Sequence, residues 1–364
     1  MIYFIVLFLI LIYSQYPHFK HNSRQSNRIF LILSFSTMAL VLGLRGETVG
    51  EDTRHYLDVF LYAADVKWSD MLHSQGMRTG YFTNSFGYTD TIENGFLALA
   101  KLVHLFTDNG HVFLFIISAI TCALFAKFIY DNSRKVVFPT IIFLCESMFM
   151  LAFNGARQIM AVSIAIQAYT LLKNQKWKKA IVVILLASVI HNVALISFAL
   201  FPIMMIKPRK EFKAFKYAII AAIASPFVVM MGQTLISKFF PRYATYFYIN
   251  YWENSLGGIV ILLLAEFLFI LLMYRKKFRI DRSFDLSCLV IIYIACELMG
   301  LRVSMFARVG WFFRPFLILF LPKAEQYLRF RNRRFVHIAI CALLLLLYSS
   351  YARTPARAYC FFWR

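Results

Sequence analysis

The chain has 364 residues, 60% of them hydrophobic and 18% aromatic, and only 16% are charged, against about a quarter in an ordinary soluble domain. The charge is one-sided: 39 Lys and Arg against 18 Asp and Glu, a net +21. A soluble fold of this size cannot hide so much apolar surface, so a soluble enzyme and a disordered tail are excluded. Nucleic-acid binding is excluded too, because no soluble basic module is present to hold the charges. The class that remains is all-α: a polytopic membrane protein forming a single integral-membrane domain over residues 1–364.

Ile2 to Tyr16 is apolar, with no Lys or Arg before it and no small-residue cleavage site after it, so it reads as a retained first span. Apolar runs of spanning length then follow, giving expected spans near 2–17, 29–44, 112–130, 136–152, 158–172, 178–190, 192–206, 215–231, 257–274, 283–301, 303–321 and 335–351. The stretch 178–206 is too long for one crossing and divides at His191-Asn192. About twelve transmembrane helices result. Six loops, 18–28, 131–135, 173–179, 207–216, 275–282 and 322–334, hold 24 of the 39 cations. Twelve crossings put all six on one side, which the positive-inside rule makes the cytoplasm. Both termini then face outward. The amphipathic run Thr91 to Phe106 cannot be a further crossing without inverting every later loop, so it is expected as an interfacial or re-entrant helix.

Two long external loops remain, about 45–110 and 232–256. The first carries Glu47, Glu51, Asp52, Asp58, Asp65, Asp70, Asp90 and Glu93 amid Tyr, Phe, Asn and Gly, the mixture of a working surface. Of the 15 cations outside the cytoplasmic loops, 11 are Arg, among them Arg45, Arg157, Arg308 and Arg314. Arginine is the residue whose planar fork holds phosphate or carboxylate. Each of these can also snorkel or pair with Glu297, Glu266 or Glu146, but as a set they favour an anionic ligand at the outer side. Arg314 is followed by Pro315, which kinks a helix and frees backbone groups.

Gly46 and Gly50 allow a tight turn after the second span, and Asp52-Thr53 opens a helical run. Asp52 is thus either an N-cap or a general base at the membrane exit, and spacing does not choose. His191, at the outer apex of two short helices, is either a satisfied core group or a site residue, since broken helices surround membrane sites. The six cysteines show neither zinc spacing nor a disulfide framework.

Several of these segments share a pattern. Leu44-Arg45 with Val49-Gly50-Glu51-Asp52-Thr53 and Tyr56, then Glu93-Asn94-Gly95-Phe96, then Arg157-Gln158 with Ala161 come in order. His191-Asn192 with Ala194-Leu195 follows, then Arg308 with Phe312-Phe313 ahead of Leu321-Pro322. From Leu42 to Pro322 the chain resembles the EpsG-like family of bacterial polysaccharide polymerases, related in role to the Wzy-type repeat-unit polymerases. The resemblance implies a GT-C-like glycosyltransferase. Such an enzyme joins oligosaccharide repeat units carried on undecaprenyl pyrophosphate, at the outer face of the bacterial inner membrane, into O-antigen, capsular or exopolysaccharide.

In that frame Arg45, Arg157, Arg308 and Arg314, with Tyr56 and Gln158, are the expected substrate-binding residues. Asp52 is the expected base, and His191 or Glu93 orients the sugars, His191 being alternatively a hydrogen-bond partner of the pyrophosphate or the substitute base. Tyr81, Phe82, Phe86, Tyr88, Tyr243, Tyr246, Tyr248, Tyr251 and Trp252 serve either as sugar platforms or as an interfacial aromatic belt. No cofactor and no metal site is expected, although Glu51 with Asp52 could hold a divalent cation. The expected partners are the lipid-linked donor and acceptor, the bilayer and a chain-length-regulating protein, with no nucleic acid. The competing readings are a flippase of the same lipid-linked sugar, which would show internal repeats, an acyltransferase modifying the glycan, and a structural protein of the export machinery.

Overall fold

The structure is a computed structural model that describes residues 1–20, 23–73, 80–83, 89–205, 219–220, 222–224, 284–301, 303–326, 330–353 and 358–363. It divides into two compact units, Met1–Leu195 with Leu344–Arg364, and Ile196–Leu343. The first unit is built from α1 (Ile2–Tyr13), α2 (Gln15–Phe19), α3 (Arg24–Gly43), α4 (Thr53–Asp65), α5 (Trp68–His73), strands β1 (Gly80–Thr83) and β2 (Thr89–Ile92), α6 (Asn94–His104), α7 (Gly110–Asn132), α8 (Val137–Cys145), α9 (Met148–Asn154), α10 (Ala156–Ala165), α11 (Gln167–Lys173) and α12 (Trp177–Ile190).

Two poles organise this unit. At one, Asn27 Nδ2 donates to the Arg134 carbonyl at 2.8 Å, Arg24 lies over the Tyr130 ring, and Asn132 Nδ2 donates to Thr170 Oγ1 at 2.7 Å. These contacts gather the basic loops around 18–28, 131–135 and 173–179. At the other pole the end of α3 meets the start of α7, with Gly43 pressed on Phe115, and Tyr3 packs on Phe153 and Tyr359. Between the poles the chain makes six traverses: α1–α2, α3, α7, α8–α9, α10–α11 and α12. Alternation of the poles is what the charge pattern demands. Because α3 ends and α7 begins at the same pole, the segment between them does not cross, as expected for the run containing α6.

Length and composition make three helices able to cross a membrane unaided: Arg24–Gly43, Gly110–Asn132 and Arg333–Ala352. The pairs Val137–Cys145 with Met148–Asn154, and Ser304–Gly310 with Arg314–Gln326, each bent by 42°, raise the total to five among the described residues. The first bend falls at Ser147, whose φ of 56° is left-handed. The second falls just before Pro315, where no N–H is available to continue the helix. The expected break at His191 is also present: α12 stops at Ile190 and a 3₁₀ helix, Asn192–Ala199, leads into α13, Leu200–Met205. Of the expected span 215–231 only 219–220 and 222–224 are described, and 257–274 lies outside the described residues.

One element differs from the all-helical expectation. The antiparallel pair β1–β2 runs in register from Gly80 opposite Ile92 to Thr83 opposite Thr89. Thr89, Thr91 and Ile92 are β-branched, and such residues favour the pleat over the helix. The helix expected from Thr91 therefore begins only at Asn94.

The α4 and α6 faces pack on the start of α7 through a buried cluster that includes Tyr56, Val59, Phe60, Phe96, Leu97, Ala100, Phe113 and Ile117. Lys101 Nζ donates to the Ala63 and Ala64 carbonyls at 3.1 and 3.0 Å, satisfying the orphan end of α4. Gly95 brings α6 against α12: a Cβ there would lie 2.3 Å from Val189 Cγ1 and 2.6 Å from the Val189 carbonyl oxygen. Gly95→Leu is therefore expected to separate the two helices, costing about 1–3 kcal/mol of stability and most of the activity. A melting curve and a polysaccharide gel check both.

The two-pole arrangement is open to cysteine labelling in a background lacking the native cysteines. Asp108, 96% exposed, sits just before α7 at one pole, and Lys176 is exposed before α12 at the other. In right-side-out membrane vesicles, Asp108→Cys is expected to react with an impermeant maleimide and Lys176→Cys only after lysis. The reverse pattern would overturn the orientation, and labelling of both from one side would overturn the traverses.

Candidate active site

The loop after α3 is shaped by Gly50, whose φ of +85° only glycine adopts at little cost. A Cβ at this position would also meet the Phe153 carbonyl oxygen at 2.4 Å. This close approach lays the loop on the α9–α10 junction. The Glu51 N–H donates to Asn154 Oδ1 at 3.4 Å, and Tyr56 Oη donates to the Asn154 carbonyl at 3.2 Å.

Arg45 lies beneath this loop and is fully buried. Its Nε donates to Thr53 Oγ1 at 2.8 Å, its Nη1 donates to the Leu42 carbonyl, and the guanidinium sits 5.7 Å from the Phe153 ring centre. Its Nη2 is buried without a hydrogen-bond partner. Burial lowers its pKa to about 10, with nearby Tyr56, Tyr359, Tyr3 and Asp52 opposing the fall, so it is cationic at neutral pH. Arg45 thus holds the loop in shape from below. Asp52 stands at the N-cap position of α4, yet its side chain makes no capping hydrogen bond. Its charge acts on Tyr56, whose hydroxyl is held protonated by burial and by Asp52.

The C-terminal tail closes over the same loop. Phe361 forms an antiparallel bridge with Arg45, the Gly46 N–H donates to the Cys360 carbonyl at 2.9 Å, and the Phe362 N–H donates to the Leu44 carbonyl at 3.1 Å. Tyr359 Oη donates to the Val41 carbonyl at 3.0 Å.

Beside the loop stands a buried charge cluster. Glu93, the residue before α6, is 5% exposed. Its Oε1 lies 2.8 Å from His191 Nδ1 and accepts the Asn192 N–H at 3.2 Å. Its Oε2 is 2.9 Å from Arg157 Nη1, an ion pair without the alignment of a hydrogen bond. Arg157 sits in the first turn of α10, whose N-cap Gly155 offers no side chain, so the helix dipole adds positive character there. Its backbone N–H faces Tyr56 Oη at 3.5 Å. Three distant segments thus converge: the α6 start, the α10 start and the α12 break.

Burial alone would raise the Glu93 pKa, but the His191 hydrogen bond and the Arg157 charge outweigh it and hold the carboxyl below its ordinary value. A depressed folded pKa means that the ionised form stabilises the fold. That contribution is complete above the unfolded pKa of about 4.3 and is lost as pH falls through the folded value. The melting-point gap between wild type and Glu93→Gln is accordingly expected to shrink as pH falls below about 5. A gap that widens below about pH 5 would contradict the sign.

The structure therefore brings together Arg45, Asp52, Tyr56, Glu93, Arg157 and His191 in one unit. Gln158 is buried on α10 next to Arg157. Arg308, in the last turn of Ser304–Gly310, and Arg314, 6% exposed with its guanidinium 5.5 Å from the Tyr293 ring centre, belong to the second unit. Among the aromatics, Tyr81 and Phe82 lie on β1. Phe86, Tyr88, Tyr243, Tyr246, Tyr248, Tyr251 and Trp252 lie outside the described residues. Among the described residues no group of three or more His, Cys, Asp or Glu is placed to hold a metal. Sequence reading gives no site role to Asn154, Thr53 or the tail. An Asn-Gly pair ahead of a helix was the signal for the first, whereas nothing local announces a tail that pairs across the whole chain.

Fold and site together define a helical membrane protein with a buried, charge-rich site at one pole. The EpsG family model matches residues 28–362, nearly the whole chain, and the chain belongs to the EpsG family. That membership points to a polysaccharide-polymerase type of function. No curated protein and no solved structure matches the chain.

Proposed function

We propose that the protein is a GT-C-like membrane glycosyltransferase with about twelve crossings in the bacterial inner membrane. It joins undecaprenyl-pyrophosphate-linked repeat units at the outer face. The observation that supports this most is the Glu93–His191–Arg157 cluster at the pole opposite the basic loops.

His191 Nδ1 is engaged by Glu93, and the side chain is 16% exposed, which leaves Nε2 as the nitrogen for an incoming hydroxyl. A carboxylate that orients an imidazole in this way fixes its tautomer and stabilises the imidazolium. The acceptor hydroxyl oxygen attacks the anomeric carbon of the donor, and its proton passes to His191 Nε2. The bond from that carbon to the pyrophosphate oxygen breaks, and the electron pair leaves with undecaprenyl pyrophosphate. Arg157, 18% exposed, stabilises the charge gathering on the leaving group, with the α10 N-terminus beside it. Asp52 and Arg45 keep Tyr56 and the loop in place, so Asp52 supports the reaction electrostatically and His191 takes the proton. Energy comes from the glycosyl-phosphate bond, and no nucleotide sugar is consumed.

A strain lacking the gene is expected to carry single repeat units and no long polymer, with the ladder restored by the wild-type gene. An unchanged ladder in the deletion strain would sink the reading.

A further inference from the structure

A carboxylate is an odd neighbour for a pyrophosphate site. Glu93 sits against the arginine that the proposed reaction needs, and a like charge beside an incoming anion weakens its binding. Its two oxygens are held unequally. Oε1 takes two ordinary contacts, His191 Nδ1 at 2.8 Å and the Asn192 N–H at 3.2 Å. Oε2 has the oblique ion pair to Arg157 at 2.9 Å. If Arg157 moves away, Glu93 therefore stays anchored through Oε1 and His191 stays oriented. Arg157 is the long, rotamer-rich member of the pair, and at 18% exposed it is the side that a ligand can reach.

We propose that Glu93 is a built-in competitor for Arg157: it yields the guanidinium to the pyrophosphate of the lipid-linked donor and reclaims it to expel the undecaprenyl pyrophosphate product. This rests on the donor assignment made above and adds to it a reason for release. An Arg site without the competitor would hold the product as firmly as the leaving group. With Glu93 present, the guanidinium regains its carboxylate partner at 2.9 Å as the product leaves. Glu93 thus has two tasks on two oxygens, positioning His191 and limiting the dwell time of the anion.

The test is binding of inorganic pyrophosphate to the purified full-length protein in detergent, with polymer formation measured separately. Glu93→Gln is expected to bind pyrophosphate about tenfold tighter than wild type, equivalent to about 1.4 kcal/mol, while losing polymer formation. Arg157→Ala is expected to lose that binding. Glu93→Asp keeps the charge but retracts it from Arg157; it is expected to show the same sign with a smaller gain, and it preserves the ionic partner that the fold needs. Melting midpoints report whether each variant is folded. Unchanged or weaker pyrophosphate binding in folded Glu93→Gln or Glu93→Asp would overturn the competitor role and leave the polymerase reading standing. Wild-type pyrophosphate binding that is indifferent to Arg157→Ala would overturn both.

Discussion

Arg157→Ala is expected to abolish long-chain polysaccharide while single lipid-linked repeat units accumulate. Two losses combine. The leaving pyrophosphate loses the group that stabilises its developing charge, an effect of about 10²–10³ in rate for one such donor. Glu93, 5% exposed, also loses its guanidinium partner, and removing one member of a buried ion pair costs about 3–5 kcal/mol. Arg157→Lys restores a cation without the planar fork, so it is expected to recover part of the stability and little of the polymer. A gel of chain-length ladders, read beside protein levels and melting midpoints, separates the two losses. A normal ladder from well-expressed Arg157→Ala would remove Arg157 from the mechanism.

His191→Ala is the second large effect. Loss of a general base costs about 10²–10⁴ in rate, and the Asn192 N–H to Glu93 contact at 3.2 Å keeps the carboxylate partly anchored, so the fold is expected to survive better than in Arg157→Ala. Asp52→Asn is the comparison. It leaves the His191–Glu93–Arg157 cluster intact and removes a charge acting on Tyr56 and Arg45, so its loss of turnover is expected to be smaller. Should Asp52→Asn prove the more damaging of the two in single-turnover assays, the base is Asp52.

Much of this architecture is legible in the sequence because membrane insertion writes it there. Basic loops alternate with apolar runs, and the contacts of Asn27 with Arg134 and of Asn132 with Thr170 place three of those loops at one pole. The break at His191, the bend before Pro315 and the helix start after Gly155 are equally local, each set by the residue present. The pairing inside the site is not local. Glu93 and His191 are 98 residues apart, and nothing in either neighbourhood says that the carboxylate answers the histidine and the arginine together. Arg45 shows the same limit. Its residue type suggests a phosphate ligand, whereas nothing local announces its full burial under the Gly46–Asp52 loop or its bridge to the tail. The β1–β2 pair runs directly into an amphipathic helical pattern that overlaps it, although Thr89, Thr91 and Ile92 carry the strand signal.

The most direct measurement is reconstitution. Purified protein in lipid, supplied only with the undecaprenyl-pyrophosphate-linked repeat unit and no nucleotide sugar, is expected to form a ladder of polymer and release undecaprenyl pyrophosphate in step with each bond made. Repeat units that remain single in the presence of folded protein, or that merely change leaflet, would contradict the polymerase account.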